Sequence, residues 1–211
     1  CYHRPQQIYQ IRTHYSQQAE SYDYDNVSGA VAPGFRSNVP GVETATRWTY
    51  IWNSEKFIDE EKHVLEGSPL VVDTCFFDVF TTEILAGDPK HALAQQACAM
   101  VSESFAEKLG GISQAIGKVI YNEELPEFLI TVSGVFKDFP HNCSVEHDVL
   151  ISMESLYKTS TDNWIGNDRY RGFVRLAEGT DPDMLAPAIR LMQEKNYPAD
   201  VVQMAQTSGI D

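Results

Sequence analysis

Apolar and polar residues alternate through Gln7-Ile8-Tyr9-Gln10-Ile11-Arg12, the period of two that marks a strand with one buried face. The polar run 16–28 has no such period and reads as a loop. Residues 30–38 are predicted to form a short helix closed by Pro40, which cannot donate the next helical hydrogen bond. Residues 42–52 alternate again. As one long strand they would place Trp48, Tyr50 and Trp52 on one face and Thr49 and Ile51 on the other. The charged stretch 53–67 reads as a hairpin or an exposed loop.

The middle of the chain is richer in short apolar runs. Strands are predicted over 69–73, 82–85 and 97–101, with a helical turn over 89–93. A helix over 104–109 has Ser104 and Glu107 at capping-box spacing, and Gly110-Gly111 as its left-handed stop. Phe105 and Leu109, four apart, face one partner surface. Residues 118–121 and 128–136 read as a hairpin, in which Gly134 marks a bulge or a close backbone approach. A strand over 147–152 leads into a helical turn over 153–157, and another strand over 170–176 has Phe173 at its centre. Asp181-Pro182 supplies an N-cap and a first-turn proline. Leu185, Ile189 and Met192 form the apolar stripe of the helix that follows, and Pro187 implies a kink or a delayed start. Residues 201–204 are predicted to return as a strand.

Strand-helix-strand patterns at both ends thus enclose a β-rich block. This predicts an α+β fold in which residues 1–68 and 163–211 build one subdomain and residues 69–162 are inserted into it as a second. Both chain ends would leave the same subdomain.

Charge and chemistry narrow the function. The formal net charge of the 211 residues is -14, which argues against binding nucleic-acid phosphates or an anionic lipid surface. No run of 18 apolar residues is present, so no segment reads as a membrane span. The chain starts at Cys1 without a methionine or a visible signal peptide, which suggests an excised fragment. The four cysteines, Cys1, Cys75, Cys98 and Cys143, form no Cys-x-x-Cys pair. They read as thiols, or as one structural disulfide in an oxidising compartment.

Candidate chemistry is thin. Residues 111–118 resemble a phosphate loop, but five residues rather than four separate Gly111 from Gly117, and Val119 stands where Ser or Thr must hold magnesium. Asp138, His141, Glu146, His147 and Asp148 could ligate a metal, yet His147 and Asp148 are adjacent and would face opposite ways on a strand, so a polar turn explains them better. No Gly-x-Ser-x-Gly elbow occurs. Trp48, Tyr50, Trp52 and Trp164 could stack a ligand, but core packing accounts for them more simply. No catalytic residue, metal site or cofactor is assigned.

One segment stands out. Val72-Asp73-Thr74-Cys75-Phe76-Phe77-Asp78-Val79-Phe80 crowds Phe and Val side chains into a turn, and Leu85-Ala86-Gly87-Asp88-Pro89 stops the chain after it. Pro40-Gly41-Val42-Glu43 with Arg47 precedes it. Val101-Ser102-Glu103-Ser104, Ala106-Glu107-Lys108-Leu109-Gly110, Ile116-Gly117-Lys118, and Gly134-Val135 with Asp138, Pro140, Asn142 and Ser144 follow in order. With these phrases, over residues 40–196, the chain resembles the periplasmic core domain of MacB/FtsX-type ABC transporter permeases of Bacteroidetes-like bacteria. The resemblance departs at Cys75 and Cys143, where small or polar residues are usual, and at Ala115, where proline is common.

The resemblance implies a porter-like part formed by both termini and an inserted Sabre-like part. It implies a periplasmic domain of an inner-membrane protein, set between the first two transmembrane helices. The partners it implies are those helices, a second permease copy, a cytoplasmic ABC ATPase and a periplasmic membrane-fusion protein. The role it implies is transmission of ATPase-driven motion, to export or extract a substrate, with no catalysis in this chain. Two other readings are a stand-alone periplasmic ligand-binding or sensor module and a secreted hydrolase.

Overall fold

A computed structural model describes residues 5–17, 20–141, 143 and 145–208. In chain order these form β1 (Ile8–Ile11), β2 (Thr13–Gln17), β3 (Glu20–Tyr24), α1 (Val31–Asn38), β4 (Val42–Thr49), β5 (Lys56–Asp59), β6 (Val64–Glu66) and β7 (Pro69–Val72). Next come α2 (Phe76–Val79), β8 (Ile84–Ala86), α3 (Pro89–Ala92), β9 (Cys98–Ser102), α4 (Glu103–Lys108), α5 (Ile112–Ala115), β10 (Val119–Asn122), β11 (Ile130–Phe136) and β12 (Val149–Ser152). The chain closes with α6 (Lys158–Thr161), β13 (Arg171–Leu176), α7 (Ala186–Asn196) and α8 (Ala199–Ser208). The fold is α+β. Its contacts divide it into two units, with borders between Arg47 and Trp48 and between Tyr157 and Lys158.

The inserted unit, Trp48–Tyr157, is built on one mixed sheet. Trp48 and Thr49 pair antiparallel with β7, and β7 lies parallel to β12. β12 pairs antiparallel with β9, which lies parallel to β11. Beyond β11 come β10, β5 and β6, all antiparallel, and β8 pairs with the far end of β11. β7, β9 and β12 are buried along their whole length, which is why they read as continuous apolar runs rather than alternating ones. The β9–β11 register shifts between Val132 and Gly134, the bulge predicted at that glycine.

The terminal unit comprises the described residues before Trp48 and after Tyr157. β1 pairs antiparallel with β13, whose other neighbour is β4. α1 packs on β13 and on α7. Buried Arg47 ties the unit internally. Its guanidinium donates to the carbonyl oxygens of Gly29 and Thr161 and lies 5.3 Å from the centre of the Tyr170 ring.

Several expectations need correction. Residues 16–28 are not a loop: β2 and β3 pair from Thr13↔Tyr24 to Gln17↔Glu20. This hairpin forms a sheet of its own, so its sequence lacks the apolar alternation of a strand with a buried face. The strand from Val42 ends at Thr49 rather than Trp52, so the single aromatic face breaks down. Trp48 and Trp52 are buried, while Tyr50 is 51% exposed. Residues 201–204 lie in α8, not a strand, so the C-terminal pattern is strand-helix-helix. Val201 and Val202 are β-branched, but an apolar pair without alternation fits a helix equally well.

The cap of α4 also differs from expectation. Ser102, not Ser104, is the N-cap, and its Oγ accepts from the Phe105 amide at 3.1 Å. Of the two outcomes expected from Pro187, a kink or a delayed start, the second is found: Asp181 caps a single 3-10 turn, Pro182–Leu185, and α7 begins after it with proline in its first turn.

Candidate functional site

The aromatic corner in the inserted unit is the densest feature of the sequence match. α2 delivers Phe76 and Phe80 to the core at 0% exposure, with Phe77 beside them. Phe76 lies 5.1 Å from Phe80 and 5.3 Å from Phe77, Trp48 lies 5.2 Å from Phe80, and Phe77 lies 5.6 Å from Phe136. All are tilted or edge-on, the arrangements that ring quadrupoles favour. The Asp73 carbonyl accepts from the Phe76 amide at 3.0 Å and opens the turn. Asp88 caps α3 through the Lys90 amide, with Pro89 at its start, so Gly87-Asp88-Pro89 sets the exit from the corner.

A second set of motif residues fastens α4. The Asp148 carboxylate accepts from the Ser68 amide at 3.0 Å, from Ser68 Oγ at 3.2 Å and from Ser102 Oγ at 2.9 Å. The Asp138 carboxylate accepts from the Ser104 amide at 3.0 Å and from its hydroxyl. Gly110 and Gly111 end α4 with φ of +99° and +104°. The Gly117 amide donates to Val132, and the Pro140 carbonyl accepts from the Cys143 amide. Pro40 precedes the tight step at Gly41 from α1 into β4, which Val42 begins. Asn142 and Ser144 lie outside the described residues, as does Cys1. Cys143 is disulfide-bonded, whereas Cys75 and Cys98 are not.

Replacing Ser102 with Ala should cost about 1–2 kcal/mol of unfolding free energy, the range of a lost N-cap. Ser104→Ala, at an exposed position, should cost less than half as much. Urea denaturation of the two variants distinguishes the cap from its neighbour.

The five polar residues at 138–148 do not converge. His141 Nδ1 meets Glu146 at 2.5 Å, Asp138 goes to Ser104 and Asp148 to Ser68 and Ser102. His147 instead packs at a tilt on Tyr50, ring centres 5.7 Å apart, and its buried Nδ1 makes no hydrogen bond among the described residues. Among the described residues no three His, Cys, Asp or Glu side chains gather as a metal site. The phosphate-loop-like stretch is the short helix α5 followed by a turn at Gly117.

Two titratable groups are displaced from their ordinary values. Burial alone would raise the Asp59 carboxyl, yet hydrogen bonds and charge from His63, with a further bond from the Glu61 amide, hold it below the usual range. Burial pushes the His147 imidazole below its ordinary 6.5, against the opposing charges of Asp148 and Glu146. Such a base stays neutral in the fold while the unfolded chain takes up a proton. Its stabilising contribution is complete above about 6.5 and is lost as pH falls through that value towards the depressed folded one. Unfolding free energies measured between about pH 5 and pH 8 should therefore decline at the acid end. His147→Gln should flatten that decline.

The terminal unit contains a further feature that sequence reading missed, a cavity of about 190 Å³. α1 contributes Val31 and Phe35, and α7 contributes Ile189 and Met192. Trp164, which sequence reading raised as a stacking candidate, forms part of the wall, with its ring 6.0 Å from that of Tyr197. A Cβ at Gly34 would stand 2.2 Å from the Trp164 ring, so that glycine lets the indole lie against α1. The lining comes from four separate stretches of chain, and no local spacing could have revealed it.

The profile of the MacB-like periplasmic core domain family matches residues 3–191. The chain belongs to this family. A solved domain of a putative permease protein from Porphyromonas gingivalis is similar to it at 35% identity and a TM-score of 0.87, covering 100% of this chain and 89% of that one. The periplasmic region of MacB from Actinobacillus actinomycetemcomitans shares the fold at 11% identity and a TM-score of 0.61, over 90% of this chain and 83% of the other. The extracellular domain of the noncanonic ABC-type transporter YknZ from Gram-positive bacteria does so at 18% identity and 0.55, over 89% and 94%. No curated protein matches the chain.

This MacB-like periplasmic core domain is thus a periplasmic domain of a membrane protein. No helix among its described residues is long and apolar enough to cross a membrane.

Proposed function

We propose that this MacB-like domain is a lever. Motion produced by a cytoplasmic ABC ATPase reaches it through flanking transmembrane helices and is used to export or extract a substrate on the periplasmic side. The observation that supports this reading is the path of the chain. It leaves the terminal unit after Arg47 and returns at Lys158, so β1 and α8, the first described strand and the last described helix, belong to one folded body. A displacement applied at either end acts on that body as a whole, because β1 is hydrogen-bonded to β13 and α1 packs on both β13 and α7.

In this reading the terminal unit has the porter-like role and the inserted unit the Sabre-like role. The motif phrases of the sequence are structural: they hold the corner, the caps and the turns, and no side chain carries out catalysis. A second permease copy and a periplasmic membrane-fusion protein are the partners it calls for.

The test uses the complete permease with its ATPase. A flexible Gly/Ser segment of about ten residues, inserted directly after α8, breaks the mechanical link while leaving the domain folded. The phenotype produced by deleting the permease should then appear, with ATP hydrolysis and the unfolding temperature of the domain unchanged. Undiminished transport in that variant would remove the lever.

A further inference from the structure

We infer that the cavity of the terminal unit is a binding site for a neutral, apolar small molecule about the size of an alkyl-substituted single aromatic ring. Size sets the scale. An apolar cavity of about 150 Å³ in another protein takes up benzene. At about 190 Å³, this one has room for a ring with a short alkyl group.

Chemistry sets the class. Val27, Val31, Phe35, Ile189, Met192 and Val201 supply much of its apolar wall. The charged groups that border it already have partners within the protein. Arg12 pairs with Asp25 at 3.0 Å, Arg190 pairs with Glu194 at 3.1 Å, and Asp168 accepts from the Ser28 hydroxyl. None of the buried side-chain atoms left without a hydrogen bond among the described residues belongs to the lining. A charged ligand would therefore have to compete with these pairs for its partners, whereas an apolar one loses little on leaving water. The wall also combines a preset part with an adaptable one. Trp164 is held against α1 at Gly34 and beside Tyr197, while Met192 is an unbranched, polarizable side chain that adjusts to irregular shapes.

The inference does not depend on the lever, and its test uses this chain alone. Methyl-labelled protein is titrated with ethylbenzene and, separately, with benzoate, and followed by NMR. Saturable shifts of the Val31, Ile189 and Val201 methyls are expected with ethylbenzene. Benzoate should bind at least about tenfold more weakly, since tenfold corresponds to the loss of a single modest interaction. Val31→Trp and Val201→Phe, which fill the space, should each weaken ethylbenzene binding by a similar factor. If either variant fails to fold, the methyl map of the unaltered chain still decides. Shifts that never saturate, shifts confined to methyls of residues 48–157, equal binding of benzoate, or full binding in the folded variants would each overturn the site.

Discussion

Replacing Phe76 with Ala should lower the unfolding free energy of the protein by about 3–5 kcal/mol, the range for truncating a fully buried phenylalanine. Phe76 has no solvent exposure and touches four other rings of the corner: Trp48, Phe77, Phe80 and Phe139. Its removal loses both the transfer free energy of the ring and the contacts of its close-packed neighbours. Domains of this size are stable by about 5–15 kcal/mol, so the loss is a large fraction of the total. Phe76→Leu, which keeps much of the volume, should recover more than half of it. Chemical denaturation monitored by tryptophan fluorescence is the measurement, because Trp48 packs 6.4 Å from Phe76. A truncation costing less than about 1 kcal/mol would mean that the corner is not a core element.

Gly87→Ala should cost about 2–5 kcal/mol, from two effects that coincide at one residue. Its φ is +82°, a left-handed conformation that costs an L-residue about 1–2 kcal/mol. Its new Cβ would also stand 2.5 Å from the Ser133 carbonyl oxygen and 2.8 Å from the Gly134 Cα. Both are backbone atoms of β11, and moving them disturbs the pairing of β8 with β11, for an overpacking cost of about 1–3 kcal/mol. Gly117 provides the control. Its φ is +86°, but no atom lies within 4 Å of a Cβ built there. Gly117→Ala should therefore cost only about 1–2 kcal/mol, the backbone contribution alone. Equal losses in the two variants, measured by urea denaturation, would show that the close approach of Gly87 to β11 contributes nothing.

These two experiments bear on the family match as well as on stability. Phe76 and Gly87 stand in the phrases that carry the resemblance, and each has a packing reason to be what it is. Ser102, Asp138 and Gly134 follow the same rule, as a helix cap, a carboxylate that holds the first turn of α4, and the site of a bulge.

How much could be read in advance depended on how local each feature is. The pattern 69–73 announced β7, the helix around Phe105 and Leu109 was placed with both side chains inward, and the Asp181-Pro182 start with its delay was foreseen. Each is decided by residues a few positions apart, through periodicity, proline geometry or caps. The β2–β3 hairpin escaped because its pairing needs no apolar face, and α8 escaped because Val201-Val202 suits either element. The choice of Ser102 over Ser104 as cap rested on Asp148, 46 residues away, whose carboxylate receives the Ser102 hydroxyl.

From its residues alone this protein was determined to be α+β, with a β-rich block between its ends, an aromatic corner at Phe76–Phe80 and the signature of a MacB-like periplasmic core domain. Periodicity, caps and a distinctive order of short motifs are encoded along the chain and can be read there. Only the tertiary structure decided where the chain divides, which cysteine is bridged, where Asp148 spends its carboxylate, and that β1, α1, α7, α8 and the segment around Trp164 enclose a cavity. Those features arise between residues far apart in the chain, and their energies depend on distances that no local pattern contains.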